Sequence, residues 1–514
     1  METIKRLIIY TYSGDANVPE YVLYSIKELM NITSNIVIIS GRDLSGKFDN
    51  NIKIIENSQL SSIDYEDYEE IIFTNDSCYG PFFSFDKVFS HMSEYDFWSL
   101  DNSKCWMVFK REVFKLKDFL SIFNKNDFIK ILERKGFKYG KYLDNQLEID
   151  SNIIHKKCPL LPKRNFIENL TFYNYRIKYA FDYIKTETPY DTNLILKDLI
   201  SENKSSLLND NLHFNYILPS NYSTTKIASR KKTALIVYIF EQDLIEYFSK
   251  YINLMPENAD IYIITTSNSV EEKCRLAFCN HKNRIEYRIQ ENRGRDNTAL
   301  LVTCKDVIER YDYICFVHSK TSSHMNTNIV GDDFRNHCVE SLLASKNYVE
   351  KILSTFEENE LLGLLIPFPP TISPYHVIGN EWMDNYKNAQ KFIKNRLNLN
   401  IELETNNPIG AFGGMFWFKS KAFSTLLSAN LSFEDFPQEP LASSDGLLTH
   451  AIERLIPTLA ENDGFYTAYV APEYYASIYL NNLIVDVRNL KKELKKYNSL
   501  KYLFKSIIKK LFNC

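Results

Sequence analysis

Hydrophobic and polar positions alternate along the chain in a way that separates short buried runs from helical stretches. The clearest series has apolar runs at 233–240, 261–265, 285–289 and 313–317, which predict four strands. Between these runs, apolar residues recur at three- and four-residue steps, the spacing of an amphipathic helix. Strands that alternate with helices predict an α/β domain with a mainly parallel sheet.

Polar residues follow two of these strands. The first group is Asn292, Arg293, Gly294, Arg295 and Asp296, and the second is His318, Ser319 and Lys320. Ligands of open α/β sheets bind at the carboxyl ends of strands. Three cations beside a histidine therefore predict an anionic ligand, and planar arginines favour phosphate oxygens through paired hydrogen bonds. The alternative is a solvated turn that carries charges.

The first part of the chain shows the same pattern. Apolar runs at 5–13, 35–40 and 69–74 predict strands, and polar residues follow the third run: Asn75, Asp76 and Ser77. Each half then has an aromatic strand followed by Phe-Lys and a short helix. We expect an ancient duplication of one α/β domain.

At 514 residues the chain is too long for a single hydrophobic core. The stretch between the two α/β patterns is less regular and mostly helical, and it ends in a polar run typical of a linker. We expect an N-terminal α/β domain at 1–150, a helical connector and linker at 151–232, a second α/β domain at 233–485 and a tail at 486–514.

Composition narrows the class of protein. Hydrophobic residues make up 45% of the chain and charged residues 25%, as in ordinary globular proteins. The nine cysteines form no Cys-x-x-Cys pair, which is typical of a reducing compartment. No run reaches the ~18 apolar residues of a membrane span. The net charge of −4 argues against a nucleic-acid binder, so we expect a cytoplasmic protein without a nucleic-acid partner.

The tail from residue 488 onward differs from the rest in charge. It holds nine basic residues and one acid, Glu493. Apolar residues recur among the lysines at three- and four-residue steps: Leu490, Leu494, Tyr497, Leu500, Phe504, Ile507, Ile508 and Leu511. A basic amphipathic helix of this kind binds the interface of an anionic membrane, with each lysine contributing about 1 kcal/mol. The alternative is that the stripe packs on the body of the protein.

Five motifs, taken in order, resemble the rhamnan synthesis protein F family of bacterial polysaccharide glycosyltransferases. They are Asn75-Asp-Ser-Cys-Tyr-Gly-Pro81 with Asp96-Phe-Trp98, Asn292-Arg-Gly-Arg-Asp296, Val317-His-Ser-Lys320, Gly414-Met-Phe-Trp417 and Asp445-Gly-Leu-Leu-Thr-His-Ala-Ile-Glu-Arg454. The resemblance covers nearly the whole chain except the middle and the tail. It implies two Rossmann-like, GT-A-like nucleotide-sugar domains joined by a helical segment.

The resemblance also implies a reaction. The expected enzyme transfers L-rhamnose from dTDP-rhamnose to a growing lipid-linked cell-surface polysaccharide at the inner face of the plasma membrane. Such a transfer requires that the leaving diphosphate be neutralised and the acceptor hydroxyl be deprotonated. The residues from Asn292 to Asp296, with His318 and Lys320, are the expected donor-binding group.

Asp445 is the expected catalytic base of an inverting transfer. Local sequence alone suits Asp445 equally well to cap the following helix. The residues expected on the acceptor side are Gly414, Trp417, His450, Glu453 and Arg454. For Trp417 the functional expectation is stacking on a sugar, and the alternative is burial in a strand.

The sequence departs from the family pattern at two places. The first domain lacks an Asn-x-Gly-Tyr-Asp-like segment, so Asn75, Asp76 and Ser77 mark an acceptor site or a degenerate second active site. Where GT-A enzymes carry an Asp-x-Asp pair for a divalent metal, this chain has His318, Ser319 and Lys320, which predicts metal-independent neutralisation of the diphosphate. The alternative is that Mg²⁺ or Mn²⁺ binds at one of three carboxylates: Asp296, Asp332 or Asp333.

A second class of function stays open from sequence. The chain could be a non-catalytic carbohydrate-binding or assembly subunit of a polysaccharide synthesis complex. Such a subunit does not need both an acid at Asp445 and a diphosphate cradle at Arg293 and Arg295. The partners expected for the enzyme are a nucleotide-sugar donor, a lipid-linked glycan acceptor and an anionic membrane surface that binds residues 488–514.

Overall fold

The chain folds as two units, Met1–His213 and Phe214–Cys514. The computed structural model describes residues 4–56, 59, 63–103, 105–143, 149–167, 174–202, 205–222, 231–319, 328–369, 382–405, 408–439 and 446–497. The expected connector at 151–232 is not a segment of its own. Its residues up to His213 belong to the first unit, where many of their aromatic and aliphatic side chains are buried, and the remainder belongs to the second.

Short strands and helices alternate in the first unit, as the hydrophobic runs predict. The strands are β1 Arg6–Thr11, β2 Ile36–Ile39, β3 Lys53–Ile55, β4 Glu70–Asn75, β5 Cys78–Tyr79, β6 Phe97–Ser99, β7 Trp106–Lys110, β8 Tyr139–Lys141 and β9 Leu161–Pro162. The helices are α1 Glu20–Leu29, α2 Asp86–Met92, α3 Arg111–Phe114, α4 Phe119–Phe123, α5 Phe128–Arg134, α6 Ile149–Ile154, α7 Arg164–Ile167, α8 Asn174–Glu187, α9 Asn193–Ser201 and α10 Ser205–Leu212.

The second unit is built in the same way but has longer helices. Its strands are β10 Asn215–Leu218, β11 Thr233–Tyr238, β12 Asp260–Thr265, β13 Ile285–Ile289, β14 Tyr313–His318, β15 Leu362–Pro367, β16 Phe416–Lys419 and β17 Tyr466–Pro472. Its α-helices are α11 Ile245–Ile252, α12 Asn268–Ala277, α13 Arg295–Thr298, α14 Lys305–Arg310, α15 Asn328–Leu342, α16 Lys346–Glu358, α17 Tyr386–Asn395, α18 Ser424–Ser428, α19 Leu448–Asn462 and α20 Glu473–Tyr497.

The main sheets of the two units repeat one strand order. The first is β3-β2-β1-β4-β7-β6-β8, and the second is β13-β12-β11-β14-β16-β15-β17, with β10 added beyond β17. In each sheet the first four strands are parallel, and the fifth is antiparallel to both of its neighbours. The fold is therefore mixed α/β with two parallel-rich sheets, and the repeated order is what duplication of one domain predicts.

The central strands are buried along their whole length because helices cover both faces of a parallel sheet. Every residue of β11 and β14 is buried, and the register pairs Tyr238 of β11 with His318 of β14. The carboxyl ends of these two strands are thus level at one edge of the sheet. In the first sheet the same pairing joins Thr11 of β1 to Asn75 of β4.

Three elements are irregular or were not expected. The helical stretch between β13 and β14 consists of α13, a π-helical turn at Ala299–Thr303 and α14. The helical structure is interrupted between α15 and α16, where Ser345 caps α16 by accepting a hydrogen bond from the Tyr348 N–H. The run at β15 was not expected to be a strand, although all six of its residues are buried. No helix among the described residues is long and apolar enough to span a membrane.

Candidate functional site

The turn between β13 and α13 requires a glycine and is held by side-chain hydrogen bonds. Gly294 has a φ of 71°, and a Cβ on it would lie 2.4 Å from Cγ2 of Thr298. The Thr298 hydroxyl donates to the carbonyl of Arg293 at 2.6 Å, and the Gln290 amide donates to the carbonyl of Arg295 at 3.0 Å. The turn is therefore fixed before any ligand binds.

Both arginines of this turn contact a distant segment, residues 434–439. Arg293 donates to two backbone carbonyls of the segment, at 2.7 and 3.0 Å. Arg295 forms paired hydrogen bonds with the Glu439 carboxylate at 2.6 and 3.0 Å, and these bonds raise the pKa of Arg295. The predicted phosphate cradle is thus engaged by groups of the protein itself. The segment that it holds is the one that leads toward Asp445 in the sequence.

His318 is the last residue of β14, and it lies against the turn before β16. Its side chain is almost fully buried, and its Nε2 lies 2.7 Å from the carbonyl oxygen of Gly413. Because a carbonyl can only accept, Nε2 carries the hydrogen in this bond. The same Nε2 lies 3.7 Å from Oδ2 of Asp296. On the other side, the Gly413 N–H donates to Oε1 of Glu453 at 2.5 Å, so helix α19 contacts the same peptide.

Gly414 leaves room for this cluster because it has no side chain. Its φ is 65°, in the left-handed region that favours glycine. A Cβ at Gly414 would lie 3.0 Å from Oδ2 of Asp296 and 3.3 Å from Nε2 of His318. The backbone at Gly414 therefore faces the carboxylate and the imidazole directly.

Asp445 lies outside the residues that the structure describes, but the chain immediately after it is fixed. The N–H of Gly446 donates to the Asn385 side chain at 3.1 Å, and the carbonyl of Gly446 accepts from Asn388 at 2.6 Å. Leu447 occupies the N-cap position of α19. The N-cap therefore lies two residues after Asp445, and both expected roles of Asp445 stay predictions.

The residues expected on the acceptor side divide into two groups. Trp417 is fully buried in β16, and its Nε1 donates to the carbonyl of Leu342 at 3.0 Å, so the expected stacking on a sugar is wrong. His450 and Arg454 lie with Glu453 in the first two turns of α19, where Arg454 donates to the carbonyl of His450 at 3.1 Å. The Arg454 guanidinium also lies 5.5 Å from the ring centroid of Phe412.

The candidate residues of the first unit form a compact hydrogen-bonded turn. The Asp76 carboxylate accepts from the N–H of Ser13 at 3.0 Å and from its hydroxyl at 3.1 Å. The Ser77 N–H donates to Oδ1 of Asn75 at 3.0 Å. The Tyr21 hydroxyl donates to the carbonyl of Asp76 at 2.8 Å. These bonds orient the carboxylate at the end of β4.

Each unit has an equivalent hydrogen bond just after β4 or β14. In the second unit, Ser319 follows β14, and its Oγ accepts from the N–H of Phe240 at 2.8 Å. In the first unit, Asp76 follows β4 and accepts from the N–H of Ser13 in the same way. Ser319 and Asp76 are thus equivalent in the repeated fold. Lys320, the next expected donor-binding residue, lies outside the described part of the chain.

A metal site was left open from sequence. Asp296 and His318 place one carboxylate and one imidazole within reach of each other. Of the alternative ligands, Asp332 pairs with Arg335 at 2.9 Å. In the described parts of the chain, no group of three or more His, Cys, Asp or Glu side chains could hold a metal ion.

Several residues of the site were not expected from sequence. Glu439, Gly413 and Gln290 contribute only through partners that are remote in sequence or through backbone geometry. For Glu439 the sequence holds one indication of a fixed backbone, because prolines at 437 and 440 restrict the chain on both sides of it. No local pattern pointed to Gly413 as the peptide that joins His318 to Glu453.

Two level strand ends, a glycine turn and the start of a long helix define an α/β protein with a polar ligand site at the carboxyl edge of its sheet. The model of the family described as "Rhamnan synthesis protein F" matches residues 115–465, so the chain belongs to that family. Membership supports a role in polysaccharide synthesis by glycosyl transfer. Among curated proteins, none matches the chain.

Solved structures offer only weak likenesses. Two structures of the glycosyltransferase GlyE from Streptococcus pneumoniae TIGR4 are similar to this chain, and one of them is the apo form. Each shares 10% identity with a TM-score of 0.22, and each match covers 62% of this chain and 85% of the GlyE chain. A Bacillus anthracis protein provisionally assigned as a glucose-1-phosphate thymidylyltransferase, in complex with sucrose, shares 15% identity with a TM-score of 0.24, covering 46% and 87%. Scores this low support no conclusion about this chain.

Substitution of Gly414 tests whether the cluster is as tightly packed as its distances indicate. Gly414→Ala places a methyl group against Asp296 and His318, whereas the control Gly464→Ala shares a positive φ, 85°, but meets nothing within 4 Å. We expect Gly414→Ala to lower the free energy of unfolding by roughly 1–3 kcal/mol more than the control, as overpacking does. Denaturant titration measures the difference, and equal losses would show that the cluster has room to spare.

Proposed function

We propose that the chain is an inverting glycosyltransferase that moves L-rhamnose from dTDP-rhamnose to a growing cell-surface polysaccharide. One observation carries the proposal. The fold joins parts of three motifs that are far apart in sequence. His318 and Glu453 each form a hydrogen bond with the backbone of Gly413, and Asp296 lies 3.7 Å from His318. Family membership supports the reaction class, and the convergence of these motifs supports a single site.

The proposed roles follow from the chemistry of each group. The Asp296 carboxylate is partly exposed and accepts hydrogen bonds from hydroxyl groups of the donor. His318 lies 3.7 Å from this carboxylate, and Lys320 neutralises the leaving diphosphate as a point charge. Asp445 removes the proton from the acceptor hydroxyl as that oxygen attacks the anomeric carbon. The sugar–phosphate bond breaks, and the nucleoside diphosphate leaves with the electron pair.

The donor and Asp445 are tested together with purified full-length protein. We expect dTDP-rhamnose to raise the melting temperature more than dTDP-glucose or UDP-glucose do, because binding to the folded state stabilises it. Asp445→Asn is expected to keep this shift and to lower transfer to lipid-linked acceptor by roughly 10²- to 10⁴-fold, the usual contribution of a general base.

The matched control for this substitution is Asp435→Asn. Asp435 lies in the segment that leads toward Asp445, and it pairs with Arg396 at 3.1 Å. We expect this variant to keep most of the transfer activity. Near-normal transfer by Asp445→Asn would remove Asp445 as the base. A protein that no sugar nucleotide stabilises would instead be a non-catalytic assembly subunit.

Arg295 is proposed to position the segment that leads to Asp445, because Glu439 engages both of its donor nitrogens. Arg295→Ala and Glu439→Gln should then lower kcat by a similar factor, roughly 10- to 100-fold, while the affinity for dTDP stays nearly constant. The control is Arg275→Ala, which breaks an arginine–glutamate pair on α12. If only Arg295→Ala weakens dTDP binding in calorimetry, Arg295 is a donor ligand, as the sequence suggested.

The proposed acceptor is a lipid-linked glycan, and we propose that the lysine-rich tail at 488–514 contacts the anionic inner face of the membrane. The support is charge: Arg488 and the lysines up to 496 are exposed on α20, and four more lysines follow Tyr497 in the sequence. Replacing those four lysines with glutamine should reduce flotation with anionic vesicles, and added salt should do the same, because salt screens the attraction. Unchanged flotation would contradict the contact.

A further inference from the structure

Helix α20 is anchored at its beginning, and most of its later residues are exposed. Tyr475 and Tyr479 are buried, and their hydroxyls lie 3.2 Å from Oε2 of Glu340 and 2.9 Å from Nδ1 of His337. From Leu480 to residue 496, every residue is exposed except two of intermediate exposure. This stretch continues the helix for about 25 Å at 1.5 Å per residue. Most helical stability in proteins comes from packing of an apolar face, so an exposed apolar face on this stretch points to a partner.

The exposed stretch carries an apolar stripe. We define the stripe as Leu480, Leu483, Val487, Leu490 and Leu494, each between 49% and 63% exposed. The residues are separated by steps of three, four, three and four, which is the alternation of a coiled-coil seam. In the sequence the same steps lead on to Tyr497, and later to Phe504, Ile508 and Leu511. If each heptad is counted from Leu480, its fourth position is Leu483 in the first heptad and Leu490 in the second. Leucine at this position is compatible with two-stranded coils.

The two flanks of the stripe carry opposite charges. Asp486 and Glu493 are seven residues apart and therefore lie on one flank, immediately before a stripe residue. Lys491 lies on the other flank, immediately after Leu490. A helix that lies in an anionic membrane would be expected to carry cations on both flanks, but one flank here is acidic. Opposite charges on opposite flanks suit a copy of the same helix.

We propose that the stripe on α20 is the interface between two copies of this chain, which pair there as a parallel two-stranded coiled coil. In a parallel coil, the residue immediately before the first position of a heptad faces the residue five positions later on the other helix. Asp486 of each copy then faces Lys491 of the other, which gives two ion pairs per dimer. In an antiparallel coil, the acidic flanks would face each other and repel. This pairing leaves the lysines of the outer face free for the membrane.

A matched pair of substitutions tests the interface in the full chain. Val487 lies in the stripe at 49% exposure, and Val485 lies two residues away on the opposite face at 42% exposure. We expect the chain, of mass 60.3 kDa, to sediment as a dimer at micromolar concentration without lipid. Val487→Asp should convert it to the monomer, and Val485→Asp should leave the dimer intact, because only the first buries a charge in the seam.

Charge reversal tests the parallel pairing. Asp486→Lys alone should weaken the dimer, since it sets two cations against each other, and so should Lys491→Asp, which sets two anions against each other. The combined variant should recover much of the loss, because the opposite charges face each other again. A combined variant that is weaker than both single variants would overturn the parallel register.

Cross-linking gives a reading that does not depend on affinity. In a background with Cys279→Ser and Cys514→Ser, Val487→Cys should form a disulfide between copies on mild oxidation, whereas Val485→Cys should not, since only seam positions come within disulfide reach. A wild-type monomer, or equal cross-linking at both positions, would overturn the proposal. If the wild type is monomeric and Val487→Asp loses vesicle flotation, the proposal is also overturned, because the stripe is then a membrane-binding face.

Discussion

The hydrogen bonds of one peptide, at Gly413, connect the elements that make up the site. Its carbonyl accepts from His318 at the end of β14, and its N–H donates to Glu453 on α19. Leaving either backbone group unpaired in this buried place would cost about 1–3 kcal/mol. The position of α19 relative to the strand ends is therefore fixed by polar bonds as well as by packing. Gly414 comes next, and a side chain there would meet Asp296 and His318.

The sequence predicted the parts of the fold that depend on local pattern. The buried runs at β11, β12 and β14, the alternating run at β13 and the repeated plan of the two halves followed from sequence pattern. The sequence could not show which side chains, remote along the chain, pair with a given charged group. Arg295 was assigned to phosphate because it stands at a strand end, yet Glu439, far along the chain, binds both of its donor nitrogens. Trp417 likewise fitted a sugar platform until its burial in β16 became visible.

The two halves share one strand order but differ at an equivalent position. Both sheets offer a backbone N–H to the residue that follows the fourth strand, and that residue is Asp76 in one unit and Ser319 in the other. The scaffold therefore supports either an anionic or a neutral side chain at the same point. In the second unit the neutral residue stands between His318 and Lys320, which favours an anionic ligand there. In the first unit the carboxylate favours a ligand with hydroxyl groups or positive charge.

The strand β10 has a consequence for dividing the protein. It follows directly after the first unit, pairs with β17 and stacks Phe214 on Tyr466 with ring centroids 4.2 Å apart. β10 thus pairs with the edge of β17, which would otherwise be bare. Such edges recruit strands from other molecules, and this leads to aggregation. A fragment that starts at β11 would expose the backbone of β17, whereas one that starts at Phe214 would keep β17 paired.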